Sequence, residues 1–291
     1  MKTWIIPAIF LLVMTGCGPV VTPAGPTGTA ASSPSPPPLA QNEPAATAPP
    51  ASPRPVVTGT ETAPAVTATA TTLPELPVCS PLEGLEQAGL EAAITNPYNP
   101  PPFGSDDPHQ GIDLANFLPG TRIGVTGGPV QAVLAGVVAL VIGDRFPYGS
   151  AVMLETPVDV LIAAGWDIPP TAESTPITTT LTCPGETEIR MDPQRRSLYL
   201  LYAHLEAPPT VSVGEPAACG SRLGRIGDSG NALNPHLHLE VRLGPSGAVF
   251  PGMSHYDPAA SAAEMDSYCI WRVSGAFRPV DPVIILKLTE W

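Results

Sequence analysis

The run His236-Leu237-His238-Leu239-Glu240-Val241-Arg242-Leu243 alternates polar and apolar residues without a break, which is the period of a β-strand. Residues two apart share a face. The stretch therefore predicts His236 and His238 projecting together from an open surface, with Leu237, Leu239, Val241 and Leu243 buried on the other side. Two imidazoles placed this way have two uses in zinc chemistry: both bind the metal, or one binds it while the other handles protons.

Outward from this strand the pattern stays β. Residues 197–205 read as another strand, with Tyr202 and His204 two apart and so on one face. Residues 129–142 and 151–154 fit two antiparallel strands around a turn at 143–149. Residues 211–230 alternate short strand signals with glycine turns, as in a compact all-β hairpin array. Their glycines lead into strand and not helix, which excludes a phosphate-binding loop. In His109-Gln110-Gly111-Ile112-Asp113-Leu114, the apolar pair Ile112 and Leu114 flanks Asp113 as on a short strand, and His109 and Asp113 can converge on one point. By itself a His-x-x-x-Asp pairing is a weak signal. Residues 79–95 predict one helix or an irregular lead-in, 96–107 a loop, and 278–286 a tail packed back on the body. Residues 157–194 show no sustained period and read as an inserted loop pinned by a disulfide.

Composition divides the 291 residues sharply. Residues 18–78 are mostly Pro, Ala, Thr, Ser and Gly with no aromatic side chain, which gives too little apolar surface to offset the entropy of ordering. They predict a disordered linker, extended at roughly 3.1 Å per residue where prolines such as Pro36, Pro37 and Pro38 dominate. Met1 and Lys2 precede an apolar stretch from Trp4 to Val13, too short for the ~20 residues of a membrane span and suited to a signal peptide. It ends in Met14-Thr15-Gly16-Cys17, which resembles the lipobox of bacterial lipoproteins with Met14 where Leu is more usual. That resemblance implies lipidation of Cys17 and a membrane anchor. The other cysteines, Cys79, Cys183, Cys219 and Cys269, are an even set with no Cys-x-x-Cys, which predicts two disulfides in an oxidising compartment, by any of three pairings. A formal net charge of −13 and the lack of any basic cluster argue against nucleic acid as a partner.

Together, His109-Gln-Gly-Ile-Asp113, Tyr202-Ala-His204-Leu, Asp228-Ser-Gly230 and His236-Leu-His238-Leu-Glu240 resemble the ordered signature of the lysostaphin-type (LytM-type) zinc metallopeptidases. The similarity spans about residues 105–286, interrupted at about 157–194 and 253–270. It implies an antiparallel β domain of the duplicated-hybrid-motif kind over residues 79–291, and zinc held by His109, Asp113 and His238. It further implies His204 and His236 as the catalytic pair that orients or deprotonates water and stabilises the oxyanion, with Glu240 and Tyr202 as partners behind them. Three protein ligands leave a position for water, as a catalytic zinc site requires. The implied activity is hydrolysis of peptidoglycan peptides by an exported, cell-surface or periplasmic monomer anchored through lipid. Two other functions come into view. A catalytically latent wall-binding module or amidase activator is disfavoured by the intact ligand set. A D-alanyl-D-alanine carboxypeptidase would space the first His and Asp more widely. His255 has no assigned role.

Overall fold

A computed structural model describes residues 76–168 and 179–287. The expected signal segment 1–17, Cys17, nearly all of the linker 18–78 and residues 169–178 of the first insertion lie outside the described residues.

In chain order the elements are α1 (Gln87–Ala93), β1 (Ile94–Asn96), β2 (Ile112–Leu114), β3 (Pro129–Gln131), β4 (Gly136–Arg145), β5 (Gly149–Pro157), α2 (Val158–Ala163) and β6 (Arg190–Leu205). There follow β7 (Pro216–Ala217), β8 (Arg222–Arg225), β9 (Leu237–Val249), α3 (Ala262–Arg272), β10 (Arg278–Val280) and α4 (Pro282–Lys287). The main sheet runs β1-β2-β9-β6-β5-β4-β7, antiparallel throughout, and β10 joins β9 on the edge that β2 occupies further up. β3 and β8 pair separately. The fold is thus mostly β and antiparallel, with four helices among the described residues. Among the described residues no helix is long and apolar enough to cross a membrane.

Period-2 alternation sorts the side chains into two cores. On β6, Leu198, Leu200 and Tyr202 join one apolar cluster, while Tyr199, Leu201 and Ala203 join another on the opposite face. Burial on both faces explains why the second half of this strand, from Leu198, is apolar at almost every position. On β9, Leu237, Leu239, Val241 and Leu243 enter the first cluster, as the alternation predicts.

The other face of β9 departs from expectation. It is not an open surface: Glu240 and Arg242 are fully buried and His238 is only 6% exposed. The cover comes from the second interruption, which is helical where no period was read. α3 begins at a capping box in which Ser261 Oγ accepts from the Glu264 N–H at 3.2 Å and Glu264 Oε2 accepts from the Ser261 N–H at 2.9 Å. It lays Trp271 against Tyr199 and Phe277, with Arg242 over the Trp271 ring at 5.0 Å.

Two further expectations are revised and a third is completed. The apolar run 129–142 is not one strand, because the chain leaves β3 at Gln131 and enters the main sheet as β4 at Gly136. The first insertion carries the helix α2, and β6 begins at Arg190, not at 197, pairing irregularly with β9 before its regular register. Four of the cysteines form two bridges, Cys79–Cys219 and Cys183–Cys269, which selects one of the three pairings; the second joins the first insertion to α3.

Candidate metal centre

Asp113 on β2 lies directly opposite His238 on β9, and in an antiparallel ladder facing residues share a side. His109 arrives from the loop before β2, which is held by paired backbone hydrogen bonds between Asn99 and His109 at 2.8 and 2.9 Å. Three atoms then converge. His109 Nε2 is 3.1 Å from both Asp113 Oδ1 and His238 Nδ1, and His238 Nδ1 is 2.9 Å from Asp113 Oδ1. Among the described residues this is the group of His, Cys, Asp or Glu side chains that could hold a metal ion.

The close approach depends on Gly111. A β-carbon there would lie 2.5 Å from the Leu239 carbonyl oxygen and 2.8 Å from Cε1 of the His238 ring.

Each imidazole has one nitrogen committed away from the centre. His109 Nδ1 meets the Pro97 carbonyl at 2.9 Å, His204 Nδ1 the Ser229 carbonyl at 2.8 Å, and His236 Nδ1 the Asn234 carbonyl at 2.7 Å. A carbonyl can only accept, so in each case Nδ1 carries the hydrogen and Nε2 offers a lone pair. His238 is reversed: its Nε2 faces Glu240 Oε2 at 3.6 Å and its Nδ1 faces the centre. Asp113 is oriented by Asn96 Nδ2, which donates to Oδ2 at 3.1 Å and leaves Oδ1 directed inward. Three donor atoms about 3 Å apart, on side chains whose other polar atoms are committed elsewhere, can share either a proton or a cation, so the donor set fits a metal such as zinc.

The protonation preferences agree with competition for that position. Burial alone would raise the Asp113 carboxyl, but the His109 and His238 imidazoles outweigh it and hold it well below the usual carboxylate range. Burial would lower His238, but the Asp113 and Glu240 carboxylates on its two sides raise it, so a proton and a metal ion compete for Nδ1. His204 is lowered to about 3, first by burial and then by His238 and His236.

His204 reaches the site by a route the sequence did not suggest. It does not share the face of Tyr202, whose hydroxyl accepts from the Val133 N–H at 2.8 Å on the opposite side and makes no contact with the site. Between the Val152–Tyr202 and Ser150–Leu205 pairs β6 has one residue too many, and His204 takes a φ of 61°. That bulge turns the imidazole toward His236 and His238, with ring centroids 4.8 and 5.8 Å away. The Asp228-Ser-Gly stretch secures it: Ser229 Oγ donates to the Leu205 carbonyl at 2.7 Å and accepts from the Ser150 N–H at 2.9 Å, presenting its own carbonyl to His204.

All five residues singled out by motif, His109, Asp113, His204, His236 and His238, line one cleft of about 980 Å³. Glu240 stands behind His238 as expected. Burial alone would raise its carboxyl, but Arg242 and Arg272 keep it well below the usual range. Tyr148, Asn96, Asp106 and Arg272 support the site and were not anticipated; the adjacent Asp106-Asp107 pair read simply as loop. His255 lies elsewhere, packed on Tyr268 with Nε2 on the Thr182 carbonyl at 3.0 Å.

No family model matches the sequence, and no curated protein does. Solved structures match in part. The catalytic domain of the prophage-encoded M23 protein EnpA from Enterococcus faecalis is 21% identical over 53% of this chain and 82% of its own, at a TM-score of 0.31. A zinc-containing peptidase from Vibrio cholerae is 18% identical over 57% of this chain, at a TM-score of 0.32. The catalytic domain of the antimicrobial peptidase lysostaphin from Staphylococcus simulans is 17% identical over 70% of this chain and 98% of its own, at a TM-score of 0.35. The chain spans 37% of the Vibrio protein and 48% of a further match from Pseudomonas aeruginosa.

Proposed function

We propose that this chain is a zinc-dependent endopeptidase that cuts peptide bonds in bacterial peptidoglycan. The observation that carries the reading is the convergence of His109 Nε2, Asp113 Oδ1 and His238 Nδ1 at 2.9–3.1 Å, with His204 and His236 beside them in one cleft. His109, Asp113 and His238 would hold the ion. Bound there, zinc supplies a Lewis acid and brings a water's pKa to about 7.

The chain's own groups provide the rest. With Nδ1–H given to the Ser229 carbonyl, His204 meets a cleft water as an acceptor at Nε2 and orients it. His236, fixed in the same sense by the Asn234 carbonyl, lies beside it with ring centroids 4.8 Å apart; its Nε2 takes the water's proton and then donates it to the oxyanion of the tetrahedral intermediate. Glu240 and Asn96 keep the His238 ring and the Asp113 carboxylate from turning. The two disulfides suit an oxidising compartment, and with the Cys17 motif they support an exported, lipid-anchored protein acting on the wall at the cell surface or in the periplasm.

The test is zinc content and release of peptide fragments from purified peptidoglycan, for the full chain and for His238→Ala. The reading expects about one zinc per chain and fragment release, both abolished by the substitution. Zinc bound with wall material of several cross-link types left intact would overturn the enzyme reading in favour of a latent or activating role.

A further inference from the structure

Arg272 is the last residue of α3, outside every motif of the site, yet its guanidinium joins two chain segments that each lead to a metal-ligating histidine. Nη1 donates to Glu240 Oε2 at 3.0 Å, the same carboxylate oxygen that faces His238 Nε2. Nε donates to Asp106 Oδ1 at 2.7 Å and Nη2 to the Asp106 carbonyl at 2.9 Å, three residues before His109. Asp106 has no freedom of its own, because Tyr268 and Tyr256 donate their hydroxyls to Oδ2 at 2.8 and 3.0 Å. The helix behind Arg272 is equally fixed. Cys269 is bridged to Cys183, and Asp266 accepts from the N–H groups of Gly185, Glu186 and Thr187 at 2.6, 2.9 and 2.8 Å.

We propose that Arg272 is a positioning residue that sets the separation of His109 from His238 by clamping Asp106 to Glu240. A bidentate fork can hold two carboxylates at a fixed angle and spacing, which a lysine ammonium cannot. The inserted helix α3 thereby has a purpose at the site without contributing a ligand. The inference rests on the reading of His109, Asp113 and His238 as zinc ligands.

Full-length Arg272→Lys and Asp106→Asn test it, since one keeps the charge and the other the shape. Three readouts are needed: thermal unfolding of metal-free protein, zinc affinity by chelator competition, and the visible spectrum of the cobalt(II) form, which reports ligand geometry. The clamp predicts zinc binding weaker by about 10–100-fold in both variants and a changed cobalt spectrum in protein that still unfolds cooperatively. Zinc affinity within twofold of wild type and an unchanged cobalt spectrum in both variants would overturn it, whatever happens to the unfolding temperature. Failure of both variants to fold would also overturn it, by making Arg272 a packing residue. If wild type itself binds neither metal, the zinc reading fails and takes the clamp with it, a result distinct from variants that match a metal-binding wild type.

Discussion

Replacing Gly111 with Ala adds one carbon at the tightest point of the site. That carbon would stand 2.5 Å from the Leu239 carbonyl oxygen and 2.8 and 2.9 Å from Cε1 and Nε2 of His238. Ordinary carbon–oxygen contact begins at about 3.3 Å, so the first overlap is about 0.8 Å; against the ring it is about 0.7 Å. The backbone of Gly111 lies outside the left-handed region, so contact alone decides the outcome. One of the two obstacles is backbone in the β2–β9 ladder, which cannot swing aside as a flexible side chain could. Relief requires β2 to move off β9 and the His238 ring to turn, and either movement disturbs the 2.9 Å spacing of Asp113 and His238. Metal sites tolerate about 0.2 Å in ligand position. We expect zinc affinity to fall by on the order of 10–100-fold, and metal-free stability by about 1–3 kcal/mol, as for overpacking elsewhere. Chelator competition and urea unfolding measure the two. Gly143→Ala is the control, because a β-carbon there meets nothing within 4 Å; it should change stability by less than about 1 kcal/mol and leave zinc binding alone. If Gly111→Ala binds zinc and unfolds like wild type, the steric reasoning is refuted.

His204→Asn should separate chemistry from folding: asparagine tolerates the φ of 61° better than histidine. Metal-free stability should hold or rise by up to about 1 kcal/mol, while fragment release falls by about 10²–10⁴-fold; retained hydrolysis would remove His204 from the mechanism. Glu240→Gln leaves the buried Arg242 and Arg272 facing a neutral amide. A loss of about 3–5 kcal/mol in urea unfolding is expected, and a loss under about 1 kcal/mol would contradict the account of this network. Asp266→Asn addresses pH. Burial would raise this carboxyl, but the N–H groups of Gly185, Thr187 and Glu186 outweigh it and lower it. A carboxyl lowered by folding stabilises above its unfolded pKa of about 3.9 and loses that contribution as pH falls through the folded value. The variant should therefore be less stable by about 1.5–3 kcal/mol at pH 7, with the gap shrinking in acid; an equal gap at pH 3 would refute the assignment.

The strands that bear the site were legible because their alternation is strict. Leu237, Leu239, Val241 and Leu243 identify the core side of β9, and Ile112 and Leu114 that of β2, so Asp113 and His238 had to emerge together. His204 was legible as a residue but not as a direction. A single extra residue in β6 reverses the face on which it lies, and nothing in Tyr202-Ala203-His204-Leu205 announces a bulge. Arg272 was invisible for a different reason. Its partners Asp106 and Glu240 are 166 and 32 residues away, and local period carries no information about pairings at that range.

The opening stretch left two uses for the pair His236 and His238, and the fold supplies grounds for choosing. They share a face but not an environment. His238 lies two residues deeper, with Asp113 across the ladder at 2.9 Å and Glu240 behind it. His236 precedes the strand at the cleft mouth, and its Nε2 is 3.5 Å from Asp113 Oδ1, outside the triangle of closer contacts. Beyond His238 the same face becomes fully buried at Glu240 and Arg242, where charge is tolerable only if it is paired. It is paired: Glu240 accepts from Tyr148, Arg242 and Arg272, and Arg242 also donates to the Phe277 carbonyl and to Gln110. From the partly exposed His236 to Arg242 the chain passes to a dry, hydrogen-bonded base. On the proposed function, the closer contact with Asp113 and the carboxylate behind the ring favour metal binding by His238 and leave proton handling to His236.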